Sequence, residues 1–155
     1  MYLVIGILGT ILAISLLLIL ALRFIAMLRG THQVEPSISL ENKGIKKRFY
    51  EADYVDSYRA QLRESNLQNI EAVAQYAFQK GQEVGRSKSE IVFQEGAPGL
   101  GFIVAYKLEP ERQPKTITMT TAVSFNEPKG NIYFRLICPI HCTLLPFLLS
   151  RMARA

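Results

Sequence analysis

The most uneven feature of the chain is an apolar stretch at its start. Residues Leu3 to Leu22 contain only two polar side chains, the hydroxyls of Thr10 and Ser15. As an α-helix this stretch is about 30 Å long, which matches the hydrocarbon core of a bilayer. A cleaved signal peptide has a basic start and a shorter apolar run. The pattern therefore predicts a retained transmembrane anchor over residues 1–29.

Beyond residue 50 the apolar positions alternate as in β-strands or recur at helical spacing. Alternation predicts a strand over Tyr54–Leu62. Ser65 to Gln68 then matches a capping box, so a helix is expected to follow, with its end at Lys80 before Gly81. Three more strands are predicted: Glu90–Glu95, Leu100–Leu108 and Thr116–Phe125.

The last two of these strands are close enough in sequence to pair as an antiparallel hairpin. One face of the hairpin is apolar and is expected to form the core. It carries Phe102, Val104, Tyr106, Leu108, Ile117, Met119, Val123 and Phe125. The threonines at 116, 118 and 120 lie on the opposite face, which the alternation predicts to contact water.

The C-terminal part of the chain is strongly apolar from Asn131 to Arg154. It predicts a long helix that bends at Pro139 and Pro146. The uncharged run within it, Leu136 to Leu149, is only 14 residues and is shorter than a membrane span needs. Packing across the sheet is therefore expected, with an interfacial helix as the alternative. Together the elements predict an α+β fold, in which a small antiparallel sheet packs on a long bent helix.

Composition and charge exclude several classes of protein and indicate an orientation in the membrane. With 49% apolar and 20% charged residues, the chain is neither disordered nor collagen-like, and two cysteines do not make a disulfide framework. Residues 23–48 hold six basic and two acidic side chains, and positive charge beside a span stays cytoplasmic. We expect a single-pass protein with its N-terminus outside, a basic tether over residues 30–50 and a cytoplasmic domain over residues 51–155.

The triplet Lys46, Lys47 and Arg48 closes this predicted tether. It is assigned to the membrane surface, either as a solvated flank or as a site of attraction to anionic lipid. Residues 49–155 hold 12 basic and 11 acidic side chains. Such a balance does not provide the basic face that nucleic-acid binding requires.

Cys138, His141 and Cys142 form the only cluster in the sequence that suggests a metal or a nucleophile. A structural zinc site usually has four ligands, and three are present here, so local packing of thiols and imidazole is expected instead. Asp53 and Asp56 are interpreted as surface charges. Without a known catalytic motif, the chain is predicted not to be an enzyme and to need no metal or cofactor.

The span from Ala52 to the C-terminus resembles a bacterial START-like domain of unknown function, often appended to short-chain-dehydrogenase-like proteins. The resemblance is carried by residues 52–59, 118–126 and 130–141 and by the basic ending at residues 149–154. It implies a helix-grip fold, in which an antiparallel sheet curls around a C-terminal helix and holds a hydrophobic ligand. It also implies a bacterial inner membrane for the anchor.

The expected function is therefore binding of a lipid or another hydrophobic molecule between the sheet and the C-terminal helix. Large apolar side chains are the expected lining, and six are assigned: Tyr58, Phe102, Tyr106, Phe125, Tyr133 and Ile137. The alternative is a non-catalytic interaction module of a membrane protein complex. That alternative predicts an exposed apolar patch or an unpaired strand edge.

Overall fold

A computed structural model describes residues 2–63, 67–77, 81–97, 99–112 and 114–154. The helices are α1 (Tyr2–Leu28), α2 (Lys43–Tyr50), α3 (Ile70–Tyr76) and α4 (Pro128–Met152). The strands are β1 (His32–Gln33), β2 (Tyr54–Gln61), β3 (Gln82–Arg86), β4 (Glu90–Ala97), β5 (Leu100–Glu109) and β6 (Thr116–Phe125). The predicted α+β class, with an apolar N-terminal helix and a long C-terminal helix, is confirmed.

The six strands form one antiparallel sheet in the order β1-β2-β6-β5-β4-β3. The predicted hairpin is present, since β5 pairs with β6 and places Tyr106 opposite Met119 and Leu108 opposite Ile117. The sequence analysis did not predict β1 or β3. Both strands are short and lie at the sheet edges, and their sequences lack a sustained apolar alternation.

Helix α3 is shorter than predicted. It begins at Ile70, where the side chain of Asn69 accepts a hydrogen bond from the amide of Ala72, and it ends at Tyr76. The predicted cap at Ser65 and the predicted end at Lys80 lie outside the described residues.

The first face of the sheet is covered by α3 and α4. Its core joins strand residues such as Tyr58, Tyr106 and Met119 to Val73 of α3 and Leu149 of α4. A neighbouring apolar cluster surrounds Phe134 at the other end of α4 and packs on the β5 and β6 ends. Residues of the predicted core face of the hairpin occupy both clusters.

The second face of the sheet was predicted to be wet, and this prediction is wrong. Thr116, Thr118 and Thr120 are buried. Thr118 accepts a hydrogen bond from Arg59, and Thr116 donates one to Glu109. Further along this face, residues 30–50, which were interpreted as a tether, form β1 and α2. Ile38, together with Ile45 and Phe49 of α2, packs on Val92, Ile103, Ala105 and Ala122 of the sheet.

Helix α4 continues through both internal prolines. Its first turn is held against the turn between β4 and β5. There Gly99 has a positive φ of 75°, and a Cβ atom at Gly130 would collide with the carbonyl oxygen of Gly99. The close approach of two glycines thus positions α4 across the end of the sheet.

Candidate functional site

Two features of the first face could serve a function: a polar cluster under α4 and an apolar surface on its outside. The inner polar cluster consists of Tyr54, Asp56 and Tyr58 of β2 and Cys138, His141 and Cys142 of α4. The outer stripe consists of Ile132, Tyr133, Leu136, Ile140, Leu144 and Leu148 of α4.

The centre of the inner polar cluster is Asp56, whose side chain is only 1% exposed. The expectation that Asp56 is a surface charge is therefore wrong, because β2 turns it beneath α4. Its Oδ1 atom lies 3.8 Å from Nε2 of His141, and neither atom has a hydrogen-bond partner among the described residues. Asp53, in contrast, is exposed, and it accepts a hydrogen bond from the amide of Phe125.

The tyrosine hydroxyls link the carboxylate to the thiols. Tyr54 Oη lies 3.4 Å from Oδ2 of Asp56 and 3.0 Å from Sγ of Cys142. Sγ of Cys142 is in turn 3.5 Å from Sγ of Cys138, and Tyr58 donates to the carbonyl oxygen of Cys142. The cluster thus joins β2 to one turn of α4 through a continuous set of polar contacts.

The two tyrosines titrate outside their ordinary range. Burial, the hydrogen bond with Cys142 and the negative charge of Asp56 raise the pKa of Tyr54. Burial and Asp56 also raise the pKa of Tyr58, while the positive charge of Arg23 opposes the shift. Both hydroxyls therefore remain protonated at neutral pH, which suits them to hydrogen bonding and not to nucleophilic chemistry.

Cys138, His141 and Cys142 lie together on one turn of α4, as the sequence predicted. Packing of α4 on the sheet adds Tyr54, Asp56 and Tyr58 of β2 to this group. No group of three or more metal-ligating side chains in the described part of the chain has a geometry that could hold a metal ion. Rings of Phe134 and Tyr54 pack around His141.

The six residues assigned to ligand binding fall into three places. Tyr58 and Tyr106 are buried in the core beneath α3 and α4. Phe102, Phe125 and Ile137 are partly buried around Phe134. Tyr133 belongs to the outer stripe and is 56% exposed. The structure therefore does not bring the six together around one space.

A pocket of about 290 Å³ opens on the second face of the sheet. Of the six assigned residues, Phe102 alone lines it. Its other lining is mostly polar and includes Arg48, Glu51, Gln94, Ser124 and Asn126. This pocket is thus separated from α4 by the thickness of the sheet.

The outer stripe runs along the side of α4 that faces away from the sheet. Its members recur at intervals of three or four residues, so they share one side of the helix. All six are exposed large apolar side chains, and Leu136 is 73% exposed. The sequence contained this spacing, but it could not reveal which apolar positions of α4 would face the sheet and which would remain uncovered.

Helix α1 packs against α4. Ala26 is buried, and the Arg29 guanidinium lies 5.7 Å from the ring centroid of Phe147. The chain at the C-terminal end of α1 therefore contacts α4 near Phe147.

Two helices in the described part of the chain are long and apolar enough to cross a membrane: Ile7–Leu28 within α1, and α4. The first was predicted from the sequence, whereas α4 was expected to be too short to span because its uncharged run has only 14 residues. The apolar residues of α1 are exposed over most of its length. The inner side of α4, in contrast, packs on the sheet.

The basic triplet assigned to the membrane surface lies on α2. Lys47 pairs with Glu51 at 4.0 Å, and Arg48 donates to the side chain of Gln94 at 2.8 Å. Since α2 covers the second face, the triplet lies on the opposite side of the sheet from α4.

The chain matches no model of a known protein family, and a search of curated proteins finds no match. The START-like resemblance therefore stays a prediction, and function has to be argued from the geometry.

Proposed function

We propose that this protein is anchored in a membrane by α1 and binds membrane lipid through the outer stripe of α4. The sheet domain then lies directly against the bilayer and is not suspended from a tether. The observation that carries the proposal is the outer stripe itself, a row of exposed apolar side chains on a helix that packs against α1. Contiguous exposed apolar patches of this kind usually mark a membrane or partner contact.

The structure of α4 fits a helix that contacts lipid with one side better than it fits a second transmembrane helix. An interfacial helix buries one side among lipid headgroups and chains and keeps the other side out. Tyr58, Phe134 and Leu149 connect the inner side of α4 to the sheet. A spanning α4 would pull the charged strands of the sheet into hydrocarbon, at a high energetic cost.

The uncovered apolar surface is largest in the N-terminal half of α4. The most exposed members of the outer stripe, Leu136 and Ile132, lie in this half and are 73% and 65% exposed. Leu144 and Leu148, in the C-terminal half, are 40% and 47% exposed. Lipid contact is therefore expected to be most extensive around Leu136.

The proposal places the hydrophobic ligand outside the domain and not in an enclosed cavity. Side chains of the sheet and of α4 pack against one another across the first face. The described pocket lies on the second face and has a mostly polar lining. No reaction is assigned to the domain, and the orientation with the N-terminus outside rests on the charge distribution.

A tryptophan probe tests lipid contact directly, because the native chain contains no Trp. Leu136→Trp reports on the outer stripe in full-length protein reconstituted into lipid nanodiscs. Tyr50→Trp is the matched control, since Tyr50 is 69% exposed but lies on α2. Lipids brominated on their acyl chains should quench the fluorescence of the Leu136→Trp protein strongly and that of the Tyr50→Trp protein little.

The opposite outcomes discriminate between functions. If brominated lipid leaves the Leu136→Trp signal unchanged while aqueous iodide quenches it, the outer stripe faces water and the proposal is wrong. If neither quencher acts, another protein surface covers the stripe. That result would favour the second candidate, an interaction module of a membrane complex, to which the same exposed patch also corresponds.

A further inference from the structure

The charged side chains within the two helices that carry or contact the outer stripe are basic, and the N-cap residue Glu127 is the acidic neighbour of Lys129 just before α4 begins. Helices α1 and α4 contain Arg23, Lys129, Arg135 and Arg151 and no acidic residue within their bounds. Lys129 lies one turn before Ile132 and Tyr133, and Arg151 lies one turn after Leu148. The apolar stripe therefore begins and ends at a cation, and both cations are exposed.

Arg135 adds a third cation near the N-terminal end of this surface. Its side chain is exposed, and its Nε donates to Oδ1 of Asn131 at 2.9 Å. None of the ion pairs within the described residues involves Lys129, Arg135 or Arg151. All three charges are therefore available to a partner outside the domain.

From this arrangement we infer that the outer stripe selects a bilayer rich in anionic phospholipid, whose headgroup phosphates bind Lys129, Arg135 and Arg151. This inference rests on the proposed function and names the lipid class. Long basic side chains at the edge of an apolar surface place their stems among the acyl chains and their charges at headgroup level. Attraction of a basic segment to an anionic leaflet amounts to about fivefold in binding per cation near the surface.

According to this inference, the cations that attract anionic lipid are those of α4 and not the predicted triplet of α2. Lys46, Lys47 and Arg48 lie on the far side of the sheet, where Glu51 and Gln94 already engage two of them. The sheet separates these cations from the outer stripe, and charges that lie more than about 8 Å from the headgroups are largely screened at physiological ionic strength. They should contribute little to lipid choice, although the local sequence is more basic there.

The test compares two double variants of equal charge in the Leu136→Trp background. Lys129→Gln/Arg135→Gln removes two cations beside the outer stripe, and Lys46→Gln/Lys47→Gln removes two cations of α2. Each full-length protein is reconstituted into nanodiscs of brominated phosphatidylcholine, with and without brominated phosphatidylglycerol. The readout is the ratio of unquenched to lipid-quenched tryptophan fluorescence, which rises with lipid contact, and circular dichroism checks that both variants keep the fold.

Anionic lipid should raise this ratio for the parent and for the α2 variant. The gain should fall at least about fivefold for Lys129→Gln/Arg135→Gln, and high salt should remove it from the parent. Equal quenching in neutral and anionic discs would overturn the inference but leave lipid contact intact. A loss of the gain in the α2 variant alone would overturn it as well. Absence of quenching in every lipid would instead contradict the proposed function.

Discussion

The two faces of the sheet are covered in different ways, and each buries one carboxylate. On the second face, the carboxylate of Glu90 accepts hydrogen bonds from the backbone amides of Ser39 and Leu40. On the first face, Oδ2 of Asp56 accepts a long hydrogen bond of 3.4 Å from Tyr54, and its Oδ1 lies 3.8 Å from Nε2 of His141 without a hydrogen bond. The first carboxylate is well satisfied and the second is not.

The helices that pack on the two faces, α2 and α4, also differ on the sides that point away from the sheet. On the second face, α2 presents an outer side of charged residues, as a surface helix in water does. On the first face, α4 carries apolar side chains on both sides, and those of its outer side are uncovered. The second face is thus closed by the domain itself, whereas the described residues leave the outer side of α4 uncovered.

The largest loss of stability is expected when the packing of α2 on the second face is disrupted. Phe49 is almost fully buried on the strands, so Phe49→Ala should lower the free energy of unfolding by about 3–5 kcal/mol. Chemical denaturation of the full-length protein in detergent measures this. Tyr50→Ala, which truncates the exposed neighbouring ring, should leave stability nearly unchanged, and an equal loss in both variants would contradict a structural role for α2.

The second-largest loss of stability is expected at Glu90, whose carboxylate accepts hydrogen bonds from the amides of Ser39 and Leu40. Glu90→Gln keeps the shape but loses the charge and one acceptor oxygen, which should cost about 1.5–3 kcal/mol, as for hydrogen bonds to charged groups. Hydrogen exchange at the amides of Ser39 and Leu40 should accelerate with the loss of stability. Glu111→Gln, at an exposed turn position, is the control. Unchanged protection of both amides in Glu90→Gln would disprove the fastening role.

Asp56 should behave differently from Glu90 because its bonding is poor. A buried charge without good partners can be replaced at little cost, so Asp56→Asn should change the free energy of unfolding by less than about 1 kcal/mol. Denaturation midpoints of Asp56→Asn and Glu90→Gln, compared side by side, check the contrast. A loss for Asp56→Asn as large as that for Glu90→Gln would show that the two faces bury their carboxylates in the same way.

The smallest effect concerns Glu109, at the end of β5. Burial alone would raise its pKa, but hydrogen bonds from Thr116 and Arg112 and the charges of Arg59 and Arg112 lower it below the ordinary value of 4.5. A lowered pKa in the folded state stabilises the protein above that value, and the contribution disappears as the pH falls through the folded pKa.

Glu109→Gln should therefore cost at most about 1 kcal/mol at neutral pH, because the pair is partly exposed. The difference from the native protein should shrink below pH 4.5. Thermal melts at neutral and acidic pH measure it, and a difference that grew in acid would mean that the sign of the pKa shift is opposite.

Much of the architecture followed from local patterns. Strands β2, β4, β5 and β6, the hairpin register and the long apolar helices were predictable because period and length are properties of contiguous residues. The sheet-edge strands were not, since β1 has two residues and β3 has a bulge beside Gly85. Helix α3 began later than its apolar stripe suggested, at the Asn69 cap.

The candidate site was less predictable than the fold. Cys138, His141 and Cys142 stood out in the sequence, but their partner Asp56 lies more than eighty positions away and resembled a surface charge. The basic triplet on α2 looked closest to the membrane because it follows the anchor in sequence. Folding places it behind the sheet and leaves Lys129, Arg135 and Arg151 exposed on α4.

Apolar spacing alone was thus enough to specify a long apolar N-terminal helix, alternating strands and a long terminal helix, because the periodicity of burial is a property of neighbouring residues. Which sides of the sheet and of α4 are covered depended on contacts between distant segments. Residues 38–50 close one face only because Glu90 and the strands hold them there. The outer stripe stays open only because no segment described in the structure packs over it.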